Sequence, residues 1–478
     1  MKKINFILLI IIAVLLGSCT KDFEEYNTDP KHPTEVPGEA LFSNAQKALA
    51  DQIASANVNI NVWKLWAQYW TETTYTDETN YNIFNRRIPD NAFSTYYRRV
   101  LNNLQQARLN IDAVDAIGDE ATKAKANKLA IIDLLQVFTF QRLVDIFGDV
   151  PYSEALKIGE TLSPKYDDAF TIYKDLIART DAALGQLDDS GSSFGSADLY
   201  YGGDVSLWKK FANSLKLKLG LFLADVDAGL SKSTVEAAAA SGVITTADEN
   251  CQMSYLGESP NTNPIYEDLV LSGRKDFVPA NTIVDMMKGL GDPRLDNYFT
   301  QVGGEYKGGI YGLGNSYSDF SHVAPSILVP EYPSVLIDDV EMHFYLAEAA
   351  ARGYNVGDAA AHYNTAVTNS IVSWGGTADE ATTYLATVPY DAANWKSSIG
   401  TQAWIAFYVR GLAGYTSWRR LDAPTLNLSP DAQTPDSKIP TRFTYPITEQ
   451  TLNKTNYTAA SSAIGGDDLL TKIFWDKF

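Results

Sequence analysis

Cys19 closes the segment Leu16-Gly17-Ser18-Cys19, where a thiol can accept a diacylglycerol and become the first residue of a lipid-anchored chain. Lys2 and Lys3 precede it, and the run from Ile4 to Leu16 is apolar except for Asn5, too short to cross a bilayer as a mature helix. The expectation is a signal peptide over 1–18 and a lipidated tether over 19–40. Each buried acyl methylene contributes about 0.8 kcal/mol, so several chains anchor firmly where one would not. An ordinary secretory signal would end on a small-x-small site instead of this order of residues.

Catalytic chemistry finds little to work with. Glu341 and Glu348 share a helical face two turns apart, and paired carboxylates could serve a surface glycoside hydrolase. With 58 Asp and Glu residues, however, such pairs arise by chance, and the face reads as solvated or structural. No G-x-S-x-G or Walker-type Gly-Lys-Ser/Thr loop occurs, and the glycines at 303, 304, 308, 309, 312 and 314 lack the strand and helix flanks of a nucleotide site. The four histidines, at 32, 322, 343 and 362, are widely spaced, and Cys251 has no partner once Cys19 is acylated. The reading is no enzyme, no metal and no cofactor. Removing residues 1–18 takes away two lysines and no acid, which moves the net charge from −19 to −21 and disfavours nucleic acid as a partner.

Aromatic residues are the better lead, at 12% of the chain. Trp63, Trp66 and Trp70 fall at i, i+3 and i+7; the spacing predicts core for Trp63 and Trp66 and leaves Trp70, at the helix end, as a binding candidate. In the following loop, from Thr71 to Arg87, Tyr75, Asp77, Asn80, Tyr81, Asn82 and Arg86 lie among small polar residues without a helical period. Sugar rings offer C–H patches to flat aromatic side chains and hydroxyls to amides, carboxylates and cations, which this loop supplies together.

The elements that must position these residues are mostly helices. Periodicity places them near 41–72, 92–117, 121–147, 166–187, 204–227, 232–241, 279–290, 338–352, 357–373 and 401–412. The stretch from about 242 to 336 is rich in Gly, Pro, Asn and Tyr and predicts a loop-rich middle section; 374–400 and the end from 421 read as irregular. Asp339 to Ala351, Arg352-Gly353, then Asp358 to Val372 reads as helix, tight turn, helix, the unit that stacks in tetratricopeptide-like scaffolds, without the strict 34-residue consensus. No second long apolar run follows Cys19, so residues 41–478 are expected to form one helical body tethered by its lipid.

A set of motifs runs along the whole chain: the cysteine followed by Thr20 to Pro30, with its acidic run; Gly148-Asp149-Val150-Pro151-Tyr152 after a long helix; Trp208 to Leu223; Asp292-Pro293-Arg294-Leu295; and Glu341 to Asn364. The most specific are Trp418-Arg419-Arg420, Pro440 to Pro446, Glu449, Asn453 and Asn456-Tyr457. In order and spacing these resemble the SusD/RagB family of nutrient-binding outer-membrane lipoproteins, in its second SusD-like group.

The resemblance implies a mainly α, tetratricopeptide-like fold with loop-rich insertions. It also implies an outer-membrane, lipid-anchored protein facing the extracellular side and passing a nutrient to a SusC-like TonB-dependent transporter. Glycans are the usual cargo of such proteins and peptides the alternative. The ligand site is expected outside the repeats, in 71–87 and 255–322. The second region adds Tyr266, Arg274, Lys275, Asp276, Tyr311 and Tyr317, with Trp374 and Trp395 in reserve.

Overall fold

The computed structural model describes residues 36–157 and 159–478; the signal segment and Cys19 lie outside them. Its body, Gly38–Phe478, is built from helices that pack on their neighbours in sequence. Helix α1 spans Gly38–Ala54, α2 Trp63–Trp66, α3 Ile88–Ser94, α4 Asn102–Asp112 and α5 Asp119–Phe147. These are followed by α6 Ala169–Gln186, α7 Val205–Leu221, α8 Ala228–Ser241 and α9 Asn281–Leu290. The last third holds α10 Asp339–Ala351, α11 Ala359–Ser373, α12 Ala378–Thr387, α13 Trp395–Ala406, α14 Gly411–Leu421, α15 Ile447–Leu452 and α16 Lys454–Ala463.

The start points follow from side chains that satisfy free N–H groups at helix ends. Asp168, Asp204, Asp227, Asp338 and Asp358 each accept from the first turn of α6, α7, α8, α10 and α11, and Thr377 with Glu380 forms a capping box on α12. The pairs α7–α8, α10–α11 and α13–α14 are helix–turn–helix units, α5 packs on α6 across the longer connection 148–168, and the tetratricopeptide-like arrangement expected from the sequence is present. Among the described residues no helix is long and apolar enough to cross a membrane.

Two buried clusters result. The larger runs from Phe42 to Trp475, and the smaller lies under α10 to α13 around Phe344, Tyr363, Ile371 and Phe407. The motifs at the C-terminal end are part of this packing. Trp63 stacks on Phe443 at 4.4 Å, while Arg442 donates to the Phe147 carbonyl at 3.0 Å and pairs with Asp467 at 2.8 Å. The Asp292–Arg294 turn is a fully buried ion pair at 2.6 Å whose guanidinium also reaches Ser370 and Gln402. Gly411 allows α14 to lie against α2, because a Cβ there would sit 2.4 Å from the Lys64 nitrogen.

Several expected boundaries move. The helix expected over 41–72 stops at Ala54, because the Asn57 and Asn61 side chains bond the main chain locally. Asn59 N donates to Asn57 Oδ1 at 3.0 Å, and Asn61 Nδ2 takes the Gln52 carbonyl at 2.7 Å. The stretch read as irregular over 374–400 contains α12, and the helix expected over 401–412 is two helices separated by Val409, whose φ is 65°. Helices α15 and α16, short and polar, also went unread.

Three short antiparallel ladders tie the loops to this scaffold. Strand β2, Val150–Pro151, pairs with β3, Tyr166–Asp167. Strand β4, Cys251–Met253, pairs with β6, Ser334–Ile337, so the loop-rich middle section leaves and rejoins the scaffold at one neck. Strand β1, Trp70–Glu72, pairs with β5, Phe277–Pro279, in the register Trp70↔Pro279, Thr71↔Val278, Glu72↔Phe277.

Candidate functional site

The β1–β5 ladder joins the two segments in which the sequence places a binding site. Beyond its end, Thr73 N donates to the Asp276 carbonyl at 2.9 Å and Thr73 Oγ1 to the Lys275 carbonyl at 2.7 Å. Asn315 closes the other edge, with its N–H on the Thr73 carbonyl at 2.9 Å and Nδ2 on the Glu72 carbonyl at 3.0 Å. Beside this ladder is a cleft of about 130 Å³ whose lining includes Asn57, Asn59, Tyr75, Arg86, Arg274 and Asp276.

Four of the expected residues therefore meet: Tyr75, Arg86, Arg274 and Asp276. Tyr75 is 64% exposed, a ring of this size left open to solvent. Arg274 pairs with Asp276 at 2.5 Å and Arg86 with the buried Glu78 at 2.6 Å. Tyr317 is half-buried, stacked on His322 at 3.9 Å, with Lys275 Nζ 5.3 Å from its ring centroid. Tyr266 is half-buried on the turn that leads to Asp268 and does not line the cleft.

Four others expected at the ligand face inward. Trp70 is 1% exposed and donates to the Tyr408 hydroxyl at 2.9 Å; Tyr81 and Tyr311 are 0% and 2% exposed. Asn80 is buried, with Nδ2 on the Gly312 carbonyl at 2.8 Å, so it ties two loops together. Each sits where loop backbone crosses the scaffold, and burying the ring or satisfying the amide there stabilises the loop itself. Asp77 and Asn82 are half-buried and bonded to each other at 3.0 Å. Trp374 packs edge-on against Tyr298, and Trp395 lines a separate groove under Arg352.

The sequence reading missed Asn57, Asn59, Glu72, Asp268 and Phe277, all of which line the cleft. The alternation Asn57-Val58-Asn59-Ile60-Asn61 was the available signal, since asparagine favours loops over helix interiors. Burial, reinforced by Glu78 alongside, raises the Glu72 carboxyl far above its ordinary range; Thr79 N and Oγ1 donate to it at 3.0 and 2.8 Å. Burial also raises Asp268, opposed by the charge of Lys64 beneath. Among the described residues, no group of three or more His, Cys, Asp or Glu side chains could hold a metal ion. Glu341 is fully buried between Lys218 and Arg410, and Glu348 between Arg352 and Arg420; both carboxylates are structural.

A family model described as starch-binding and associating with the outer membrane matches residues 30–446. The chain belongs to the SusD-like family. No curated protein matches it. Among solved structures, this SusD-like chain is similar to a chitin-binding protein, at 27% identity and TM-score 0.81 over 92% of this chain and all of the other. A chitin-binding SusD homologue from Flavobacterium johnsoniae shares 24% identity and TM-score 0.78, over 92% and 97% of the two chains. A SusD homologue from Bacteroides uniformis matches at 24% identity and TM-score 0.78, over 92% and 99%. The last two show the fold alone. The cleft of this SusD-like chain thus lies in its insertions, on loops carried by helix pairs.

Proposed function

We propose that this SusD-like chain is a surface lipoprotein that binds a glycan at the Tyr75 cleft without cleaving it and delivers it to a SusC-like TonB-dependent transporter. Lipid on Cys19 would hold it to the outer membrane with its body facing outward. The observation that carries the reading is the β1–β5 ladder, which brings an open tyrosine ring together with amides, carboxylates and two guanidinium groups. That set matches a saccharide, whose C–H face packs on the ring while its hydroxyls bond the polar rim. Family membership supports a glycan, and so does likeness to a protein named for chitin binding. Of the carboxylates beside Tyr75, Asp276 is paired with Arg274 at 2.5 Å and Glu72 is held by Thr79, contacts that suit a fixed binding rim.

Titration calorimetry of the full-length protein against chitin-derived and starch-derived oligosaccharides and a peptide panel tests this. Binding of an oligosaccharide that leaves it intact is the expected result. Binding of peptides alone, or release of shortened sugars, would overturn the reading.

A further inference from the structure

A second groove lies away from the Tyr75 cleft, on the segment between α3 and α4. It measures about 670 Å³, within the range of roughly 300–1,000 Å³ typical of small-molecule sites, and Asn44, Tyr97, Arg98, Arg99, Asn102 and Leu156 are on its walls. Residues Thr95–Leu101 form a π-helix, a local widening that recurs at functional positions. The opposite wall carries Leu156 at φ 62°, a left-handed conformation that a branched aliphatic residue rarely adopts.

The two arginines of this groove differ from the other arginines of the chain. The chain has 58 acidic and 39 basic residues, so a cation easily finds a carboxylate. Among the described residues every other arginine is held, twelve in all: ten by carboxylates, Arg142 by the Tyr96 hydroxyl and Arg419 by the Asp145 and Thr441 carbonyls. Arg98 and Arg99 are exposed, and among the described residues they have no side-chain partner and no Asp or Glu lines their groove. The side-chain amides of Asn44 and Asn102, which have no hydrogen-bond partner either, lie on the same walls.

We propose that this groove binds a saccharide bearing an oxyanion, a uronic acid carboxylate or a sulfate ester. Two guanidinium forks match the paired oxygens of such a group, and the free amides match neighbouring hydroxyls. Leu156 and Tyr97 supply the apolar wall against which a ring packs. This site is independent of the Tyr75 cleft and stands whether or not that cleft takes a neutral glycan.

The test is calorimetry of full-length protein with trigalacturonate, a sulfated galactose trisaccharide, neutral galactotriose and inorganic sulfate, each at 50 and 200 mM salt. Either acidic trisaccharide should bind, more weakly at high salt, and the one that binds identifies the anion. Binding should fall at least tenfold in Arg98→Gln/Arg99→Gln, recover in part in Arg98→Lys/Arg99→Lys, and persist in Tyr75→Ala. Unchanged thermal unfolding of the double variants verifies their fold. No binding of either acidic sugar, binding of inorganic sulfate alone, equal binding of galactotriose, or binding that survives the double substitution would each overturn the proposal.

Discussion

Lys64 is 3% exposed on α2, with Nζ donating to the Ala54 and Ser55 carbonyls at 2.8 and 2.9 Å and lying 5.7 Å from the Trp70 ring centroid. Burial pushes its pKa from 10.5 down to about 7, against the opposing pull of Asp268. Between those values the unfolded chain keeps a proton that the folded chain has released, so folding stability rises with pH across this window and is flat below it. The slope is about 1.36 kcal/mol per pH unit, or about 2.7 kcal/mol from pH 7.5 to 9.5 and about 5 kcal/mol over the whole interval. The substitution Lys64→Met removes this titration. It also strands two carbonyls, a cost that does not depend on pH, so the sign of the difference at one pH decides nothing. Urea unfolding of both proteins from pH 6 to 10 gives the quantity that matters, the stability of the natural protein minus that of the variant. It should be constant up to pH 7 and then climb at the stated slope. A difference that stays flat from 7 to 10 would show that Lys64 keeps an ordinary pKa, and the account of its burial would be wrong.

Tyr75→Ala should weaken oligosaccharide binding about tenfold, about 1.4 kcal/mol and near the top of the roughly 0.5–1.5 kcal/mol of one aromatic contact, and leave thermal unfolding unchanged because the ring is 64% exposed. Asp292→Asn leaves the buried Arg294 charge uncompensated and should cost about 3–5 kcal/mol in chemical denaturation. Gly411→Ala drives a methyl into the backbone at Lys64 and should destabilise by about 1–3 kcal/mol, with α2 losing hydrogen-exchange protection first. Cys19→Ala should move the protein from the membrane fraction to the soluble fraction on cell fractionation; retention in the membrane would refute the lipid anchor.

Long helices with periodic apolar faces and polar caps were readable from the chain: α5, α10 and α11 lie close to where periodicity puts them. Failures fall where local and tertiary terms compete. The Asn-rich stretch after Ala54 has hydrophobic residues at plausible spacing, yet its amides bond the main chain and break the helix. Trp70, Tyr81 and Tyr311 have the composition of a binding loop, but residues far away in sequence bury them: Tyr408 bonds Trp70 and Trp66 meets Tyr81 edge-on. The two segments that meet at the β1–β5 ladder stood out in the sequence, because 71–87 has no helical period and 255–322 has one only over 279–290. Which rings stay open depends on loop-to-scaffold contacts that no spacing rule encodes.

The neck formed by β4 and β6 bears on how this body can change over evolutionary time. The section between them leaves and rejoins the scaffold at this ladder and is held on the way by β5 and by Arg294, and lengthening an exposed loop within it adds only about 0.6 kcal/mol for each doubling of loop length. Insertions and deletions at its exposed turns, such as 270–275 beside the cleft, can therefore reshape one wall while Arg294 and Tyr298 keep the rest of the section packed on the helices. The cleft would then change one turn at a time, on a frame that need not be refolded.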